Sequence, residues 1–239
     1  MFKIIMSKAV IYPISLYVFA MLLLQGLDWD HQIASFWYQL EGNTWSLKQH
    51  WLTQAVLHKG GHDVAIALYI IIIVIYVASF RNDKLKPYHQ GLKYLVISLP
   101  IATLTISALK QLIAVDCPWG LVDFGGQRHY EPWFRTLFST VQENVGHCFP
   151  SGHASSAYTY FALYFFCQYY FQRYAKSVLI AVIFIGIIFG FAQQLRGAHF
   201  LSHDLTSALI CWLISWGIWM FIFRSTKVAV IQPHCRTLL

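Results

Sequence analysis

Charged residues are scarce in this chain. Lys, Arg, Asp and Glu make up 11% of its 239 residues, and apolar residues make up 57%, whereas about a quarter of the residues of an ordinary soluble domain are charged. So few ionic groups cannot cover a globule of this size with a water-facing surface. The composition therefore excludes a disordered chain, a collagen-like or coiled-coil fibre and most soluble enzymes.

Acidic residues are scarcer than basic ones, and cysteine is rare. The chain has 10 acidic and 17 basic residues, which gives a formal net charge of +7. The basic residues do not cluster into the patch that nucleic-acid-binding domains display, so no nucleic-acid partner is predicted. The five cysteines are too few for a disulfide scaffold. Internal repeats and low-complexity tracts are also lacking, so residues 1–239 are predicted to form a single domain.

Long apolar runs are what the sequence has instead. A helix needs about 17–25 residues to cross roughly 30 Å of hydrocarbon, and six runs approach that length: 9–27, 64–80, about 94–112, 154–172, 177–195 and 205–223. No small-x-small cleavage site follows the first run before Asp28, so we interpret it as a membrane span and not as a signal peptide. We therefore expect an all-α integral membrane protein, a bundle of six transmembrane helices.

The distribution of charge predicts the orientation of this bundle. Eleven of the 17 basic residues fall in termini and loops of one side, and nine of the ten acids fall on the other. Basic residues are enriched in cytoplasmic loops. Both termini are therefore predicted to be cytoplasmic, and the long loops 28–63 and 110–153 to face the periplasm across a bacterial inner membrane.

The first of these loops is rich in aromatic residues set among polar ones. They are Trp29, Phe36, Trp37, Tyr38, Trp45 and Trp51. This pattern is typical of amphipathic helices at the depth of the lipid headgroups. Such outer-loop helices can form a belt that only anchors the protein, or a platform for a lipid substrate, and the sequence leaves both open.

Three clusters of polar residues lie where apolar runs end, all on the predicted outer side. Segment 110–119 places Lys110 at the end of the third run, before a proline-bounded loop. Segment 149–153 ends in Pro-Ser-Gly-His just before the fourth run. There Ser151 and Gly152 are expected to form a turn whose free backbone N–H groups, at a helix N-terminus, suit an anion.

The third cluster, 196–204, reads Arg-Gly-Ala-His-Phe-Leu-Ser-His-Asp. Its spacing predicts that Arg196 and His199 share a helical face, with His203 one turn further. Together the clusters supply two cations, a backbone anion site, two well-separated histidines and a carboxylate. Phosphoryl transfer through a phosphohistidine needs this inventory: one histidine attacks phosphorus, another protonates the leaving oxygen, and the cations hold the equatorial oxygens.

In these motifs the sequence resembles the type-2 phosphatidic acid phosphatase family, whose pattern is Lys-x6-Arg-Pro, then Pro-Ser-Gly-His, then Ser-Arg-x5-His-x3-Asp. The resemblance covers about 94–223, and residues 150–153 match the second motif in full. It implies a membrane phosphatase that uses no metal and no organic cofactor. Because apolar helices flank the site, the substrate is expected to be a lipid phosphate or lipid pyrophosphate whose tail stays among the membrane lipids.

The same resemblance assigns roles to individual residues. His199 is then the nucleophile, and His153 is the general acid. The residues that bind the phosphate are Lys110, Ser151, Gly152 and Arg196. Either Asp204 or His203 is expected to accept the ring N–H of the nucleophile and so orient it.

The chain departs from the family pattern in the first and third motifs. Cys117 stands where the first motif has its arginine, so one phosphate-binding cation is missing. Gln193 occupies the arginine position of the third motif, and Arg196 lies closer to the nucleophile. His203 stands at the position of the aspartate, one residue before Asp204. We expect a variant geometry of the same site and not an inactive protein.

Two hypotheses follow from the missing arginine. Arg128 or Arg135 of the long outer loop is a candidate to supply the lost charge. Cys117 and Cys148 precede the prolines of the first two motifs, and in an oxidising periplasm a disulfide between them would tie the two halves of the phosphate site together, a contribution of about 2–4 kcal/mol. Two free buried thiols are the alternative.

Metal binding is a competing use of the histidines. His199 and His203 are one helical turn apart, Asp204 is adjacent, and His147 and His153 can add ligands. This spacing permits a metal but does not specify one, and the neighbouring Lys and Arg disfavour a cation, so no metal is predicted. The remaining outer histidines are expected to be solvated or interfacial: His31, His50, His58, His62 and His129.

The predicted function is hydrolysis of a lipid phosphomonoester or pyrophosphate at the periplasmic face. Transfer of the phosphoryl group to another lipid or sugar hydroxyl would use the same site. A non-catalytic lipid-phosphate binder or transporter is a third interpretation, although binding alone needs neither His153 nor His199. Undecaprenyl pyrophosphate, phosphatidylglycerol phosphate, phosphatidic acid and lipid A present the same groups to the site. The sequence indicates no protein partner.

Overall fold

A computed structural model of the protein describes residues 2–131 and 146–223, with side chains from Lys8 onward. The described backbone is helical apart from turns, short connections and two isolated β-bridges. The α-helices in chain order are α1 (Phe2–Gly26), α2 (Trp29–Leu40), α3 (Gly61–Ala78), α4 (His89–Leu112), α5 (Gly152–Tyr158), α6 (Phe161–Tyr170), α7 (Gln172–Leu195) and α8 (Leu201–Phe223). A π-helix, Leu52–Gly60, runs directly into α3.

Five helical segments of the described chain are long and apolar enough to cross a membrane. They are Lys8–Gly26, Leu52–Ala78, Lys86–Leu112, Gln172–Leu195 and Leu201–Phe223. Each overlaps one of the apolar runs of the sequence. The chain is therefore a multi-pass, all-helical membrane protein.

The remaining apolar run, 154–172, is not one continuous helix. It is divided into α5 and α6 by a turn at Thr159 and Tyr160. Hydroxyl groups weaken the helix before the break, because Ser155 Oγ donates to the Gly152 carbonyl at 2.7 Å and Ser156 Oγ to the His153 carbonyl at 2.6 Å. Side chains that bond to the preceding turn bend helices, and neither half is long enough to span a bilayer alone.

The second crossing begins earlier than the apolar run at 64–80 predicts. Residues 52–63 were expected to lie in an outer loop, but they are helical and continuous with α3. Two of their polar side chains turn toward the protein: Gln54 accepts a hydrogen bond from Arg196, and the His58 ring contacts another histidine. Lys59, His62 and Asp63 are exposed.

The centre of the bundle is formed by α4, α6, α7 and α8, with α3 packed against α4 and α1 against α8. In the apolar stretches of α1 and α3 only 6% of the residues are buried, against 39% in α4. Apolar side chains on an outer helix face hydrocarbon, which solvates them as well as a protein core does. The large aromatic side chains buried in this core are Tyr94, Tyr158, Tyr160, Phe161, Phe165, Trp219 and Phe223.

Two glycines of α7 allow its neighbours to approach closely. A Cβ at Gly186 would lie 2.0 Å from the ring of Tyr158, and one at Gly190 would lie 2.6 Å from a carboxylate oxygen of Asp204. Small residues four apart on one helix face permit such contacts between membrane helices. Gly190 thereby lets α8 place the Asp204 carboxylate directly against α7.

The segments that connect the helices at the site's end of the bundle form a small core of their own. Its buried members are Ala34, Leu121, Phe124 and Phe200, with Tyr38, Trp45 and Tyr130 packed around them. Several aromatic residues of segment 28–63 therefore pack within the protein, while Trp29, Phe36 and Trp51 are exposed. This core places α2 over the connection between α7 and α8.

A buried carboxylate fixes the first turn of α8. Asp30 of α2 accepts a hydrogen bond from the Ser202 backbone N–H at 3.0 Å and another from Gln25 Nε2 at 2.5 Å. The Asp30 side chain is fully buried. Because anions are stabilised at helix N-termini, Asp30 ties α1 and α2 to the helix that carries the third motif.

Candidate active site

The second motif forms a turn at the start of α5. Ser151 is the N-cap of this helix, and its hydroxyl accepts a hydrogen bond from the Ala154 N–H at 3.4 Å. The backbone of Ser151 is held against α8, because its N–H donates to the His203 carbonyl at 3.2 Å and its carbonyl accepts from Ser207 Oγ at 2.8 Å. These bonds fix the position of His153 in the first turn of α5.

The cation of the first motif lies beside this turn. Lys110 belongs to the last turn of α4, and a Cβ at Gly152 would lie 3.4 Å from its Nζ. The absence of a side chain at Gly152 therefore lets the ammonium approach the turn. The carbonyl of Lys110 is also bonded to Nδ1 of His147 at 2.8 Å.

The third motif does not form the single helical face that its spacing predicts. Arg196 ends α7, Gly197 has a φ of +66°, His199 lies in the connection, and His203 is in the first turn of α8. The left-handed backbone at Gly197 suits glycine, and it breaks the helix that Arg196 and His199 were expected to share. A Cβ at Gly197 would also lie 2.4 Å from the ring of Trp45.

The guanidinium of Arg196 is buried and held by three groups. Its Nε donates to the Lys48 carbonyl at 2.9 Å, one terminal nitrogen donates to Gln193 Oε1 at 3.0 Å, and the other donates to Gln54 Oε1. Gln193, which occupies the family's arginine position, thus supports the arginine that replaces it. The guanidinium has more N–H donors than these bonds use, so it can still bind an anion.

The histidines of the second and third motifs lie close together. The ring centroids of His153 and His199 are 6.5 Å apart, and those of His199 and His203 are 5.7 Å apart. The His199 and His203 side chains are buried, and His153 is half-buried. One phosphoryl group can therefore contact both His153 and His199.

Burial disfavours protonation of the proposed nucleophile. Burial, followed by the charges of His203, Lys110 and His153, lowers the pKa of His199 well below its usual value. The charges of His58, Lys110 and Arg196 act on the ring of His153. A neutral imidazole keeps the lone pair that a nucleophile needs, and a bound anion would favour protonation of the other ring.

Neither candidate orienting residue hydrogen-bonds to the nucleophile. Nδ1 of His199 has no hydrogen-bond partner among the described residues. Asp204 instead accepts a hydrogen bond from Gln194 Nε2 at 2.8 Å and packs on Gly190. The backbone carbonyl of Cys148 lies beside the rings of both His199 and His203.

A disulfide connects the first two motifs. Cys117 and Cys148 are bonded, with their Cα atoms 5.3 Å apart. The chain segments on either side pair as well, since the Cys148 N–H donates to the Val115 carbonyl at 3.0 Å and the Gly146 N–H to Asp116 Oδ1 at 2.8 Å. The position of the missing arginine is therefore occupied by a cross-link.

The structure does not place another arginine at this position. Arg128 lies in the turn formed by residues 120–128, where its N–H donates to the Gly120 carbonyl at 2.9 Å and its carbonyl accepts from Val122 at 2.7 Å. Arg135 lies outside the described residues. Replacement of the lost charge by either arginine remains a hypothesis.

The second crossing brings in a histidine that the sequence did not single out. The rings of His58 and His153 are 3.8 Å apart between centroids, with an angle of 36° between their planes. His58 was expected to be solvated or interfacial, and this expectation is wrong because residues 52–63 are helical and face the site. Among the described residues, no three His, Cys, Asp or Glu side chains form a group suited to a metal ion.

Comparisons with known proteins bear on the family and the fold. A family model described as the PAP2 superfamily matches residues 91–227. The crystal structure of the first transmembrane PAP2-type phosphatidylglycerolphosphate phosphatase from Bacillus subtilis is similar, with a TM-score of 0.57 and 19% sequence identity over 90% of this chain and 98% of that chain. At this identity the likeness concerns the fold. A search of curated proteins finds no match.

Proposed function

The chain belongs to the PAP2 superfamily, and on that premise we propose that it is a membrane phosphatase that hydrolyses a lipid phosphomonoester or lipid pyrophosphate. One observation carries the proposal: Lys110, His153, Arg196 and His199 converge from different elements at one end of the bundle. The charges of Lys110 and Arg196 both act on His153. Two cations beside two imidazoles, one available as a nucleophile and one as an acid, suit a phosphoryl group and its transfer.

The proposed reaction has two steps. An imidazole nitrogen of His199 attacks phosphorus and forms the N–P bond, and the bond from phosphorus to the leaving oxygen breaks. His153, which is protonated when the anionic phosphate is bound, gives its extra proton to that oxygen and becomes neutral. His153 then takes a proton from water, whose oxygen attacks phosphorus, and inorganic phosphate leaves as His199 is regenerated. Lys110 and Arg196, with the turn at Ser151 and Gly152, bind the equatorial oxygens in both steps.

The place of the site in the bundle supports a lipid substrate. Lys110 is near the end of one apolar crossing, and His203 and Asp204 are near the start of another. A phosphate bound there lies at the level where the hydrocarbon ends, so the attached acyl or prenyl chain can remain in the bilayer. The orientation we propose follows the basic residues: both termini are cytoplasmic, and the site faces the periplasm across a bacterial inner membrane.

We further propose that α5 and α6 together make the sixth crossing. The two helices are separated only by the turn at Thr159 and Tyr160, and they pack against α7 and α8. Irregular backbone at membrane depth is tolerated where protein surrounds it. With this crossing the bundle has six spans, and both ends of the chain lie on the same side.

The proposal is tested by phosphate release from the purified, detergent-solubilised protein with EDTA present. The substrates are phosphatidic acid, phosphatidylglycerol phosphate and undecaprenyl pyrophosphate. Phosphatidylglycerol phosphate is included because it is the substrate in the name of the Bacillus subtilis protein. His199→Ala and His153→Ala are each compared with the wild type. His129→Ala is the matched control, because it also removes an imidazole and the His129 side chain is exposed, directly after the 120–128 turn.

We expect release from at least one lipid in EDTA, loss of release in both site variants and full release in the control. Brief reaction followed by alkali should trap phosphate on the wild-type protein and not on His199→Ala, since phosphohistidine is stable to alkali and labile to acid. Release only when a second lipid or sugar hydroxyl is supplied would favour a phosphotransferase. Binding of lipid phosphate without release under any condition would contradict an enzymatic role.

A further inference from the structure

We propose that His58 is a phosphate-binding residue of the site, an imidazole donor beside His153. This inference rests on the proposed function for the identity of the ligand, a phosphate group. It adds a residue from the second crossing to a site that the sequence motifs confine to residues 110–204.

The face of the π-helix that carries His58 is turned toward the site. Gln54, four residues earlier, accepts a hydrogen bond from Arg196, and the ring of His58 lies 3.8 Å from that of His153 between centroids. Two contacts to two different motif residues fix the direction of this helix face. His58 is therefore placed beside the proposed general acid and is not a surface residue that only happens to be near it.

The charges around His58 favour an anion as its ligand. Lys110 and Arg196 both act electrostatically on His58, and no ion pair with a carboxylate is formed by either cation among the described residues. Protonation of His58 or His153 would add further positive charge. The charges of Lys110 and Arg196 attract a phosphate group to this place, whereas they repel a metal cation.

His58 also has unused hydrogen-bonding capacity. Its Nδ1 and that of His153 are buried and have no hydrogen-bond partner in the described parts of the chain. The two rings, tilted by 36° to each other, leave both of these nitrogens unpaired. A buried polar group without a partner is destabilising, so a phosphate oxygen that accepts from the His58 ring would relieve this cost.

Packing alone is the competing explanation of the contact, and substitutions separate the two. His58→Phe keeps an aromatic ring against His153 and removes both nitrogens. His58→Gln keeps an N–H donor near the same place and removes the ring. The matched control is His62→Phe, because His62 is one turn further along the helix and its side chain is 60% exposed.

Two measurements are made on each variant: the affinity for inorganic phosphate, from its stabilisation of the protein against thermal unfolding, and the KM for dioctanoyl phosphatidic acid. In His58→Phe we expect both to weaken about tenfold, which corresponds to about 1.4 kcal/mol, with a smaller change in kcat. His58→Gln should stay within about threefold of the wild type, and His62→Phe should match it.

Wild-type affinity for inorganic phosphate in His58→Phe would overturn the proposal. Equal weakening in His58→Phe and His58→Gln, with unchanged melting temperatures in the absence of phosphate, would also overturn it, because the ring shape would then matter and not the donor. A different result would contradict the proposed phosphatase function: the wild-type protein would release no phosphate from any lipid. In that case the affinities of the wild type and the variants for inorganic phosphate would still test the role of His58.

Discussion

Removal of the Cys117–Cys148 disulfide should destabilise the protein and slow phosphate release. The bond closes a chain segment with a sequence separation of 31. In the chain-entropy model, a cross-link over such a loop contributes about 3.5 kcal/mol at 25 °C by restricting the unfolded chain. For a chain of this size each kcal/mol corresponds to roughly 2–4 °C in melting temperature. Substitution of both cysteines by serine should therefore lower the melting temperature by about 10 °C.

The effect on catalysis follows from what the bond holds in place. The carbonyl of Cys148 lies beside the rings of His199 and His203. Without the disulfide, segment 146–148 is held by hydrogen bonds to Val115, Asp116 and Lys110, each worth about 1 kcal/mol. A small displacement of the Cys148 carbonyl would loosen the nucleophile, so kcat should fall several-fold while the site still binds phosphate.

The assay compares the double variant with the wild type in the same detergent, with and without a reductant. Cys167→Ser is the matched control, because Cys167 lies in α6 and is not disulfide-bonded. The reductant should lower the melting temperature and kcat of the wild type to those of the double variant and leave the double variant unchanged. A double variant with the same melting temperature as the wild type would contradict this role of the disulfide. An equal effect of the reductant on both proteins would contradict it too.

Three further substitutions test the packing around the site. Gly197→Ala places a Cβ on a residue with left-handed backbone and against Trp45. We expect the free energy of unfolding to fall by about 1–2 kcal/mol from the backbone alone, and kcat to fall as well. A variant as stable as the wild type would contradict backbone strain at this position. Gly190→Ala forces the Asp204 carboxylate away from α7 and should cost about 1–3 kcal/mol by overpacking; an unchanged unfolding free energy would contradict this contact. Burial raises the pKa of Asp30 from 3.8 to about 6, so the folded protein binds the extra proton and its stability falls as pH rises from about 4 to 6. Asp30→Asn should abolish this loss of stability with rising pH, and above pH 6 it should be more stable than the wild type by up to about 3 kcal/mol. A stability difference between variant and wild type that is the same at every pH in unfolding experiments would contradict this prediction.

Much of the membrane architecture follows from composition and local pattern. Apolar runs of sufficient length must be helical in hydrocarbon, because no water is there to satisfy the backbone. Five of the six runs correspond to helices that are long and apolar enough to cross the membrane. The motif residues were identifiable for a related reason: ionisable groups are costly at the ends of apolar runs, so their presence there indicates a function.

The errors lie where a side chain meets a partner that is distant in sequence. Residues 52–63 resembled a polar loop because Gln54 and His58 are polar, yet their partners are Arg196 and His153. The expected shared face of the third motif depended on a continuous helix, which the left-handed Gly197 interrupts. In both cases a pattern that is correct for an isolated helix is overridden by contacts between helices.

The chain's hydrophobicity was sufficient to predict a membrane protein built from helices, and the motif residues were sufficient to indicate phosphate chemistry. Hydrophobic length and residue type are local properties, and the bilayer acts on them directly. Folding alone determined that the ring of His58 lies beside that of His153 and that Gln193 and Gln54 support Arg196. The sequence raised a Cys117–Cys148 disulfide as a hypothesis beside two free thiols, and the structure decided between them. These features depend on which faces of separate helices meet, and that is a property of the packed bundle and not of any one segment.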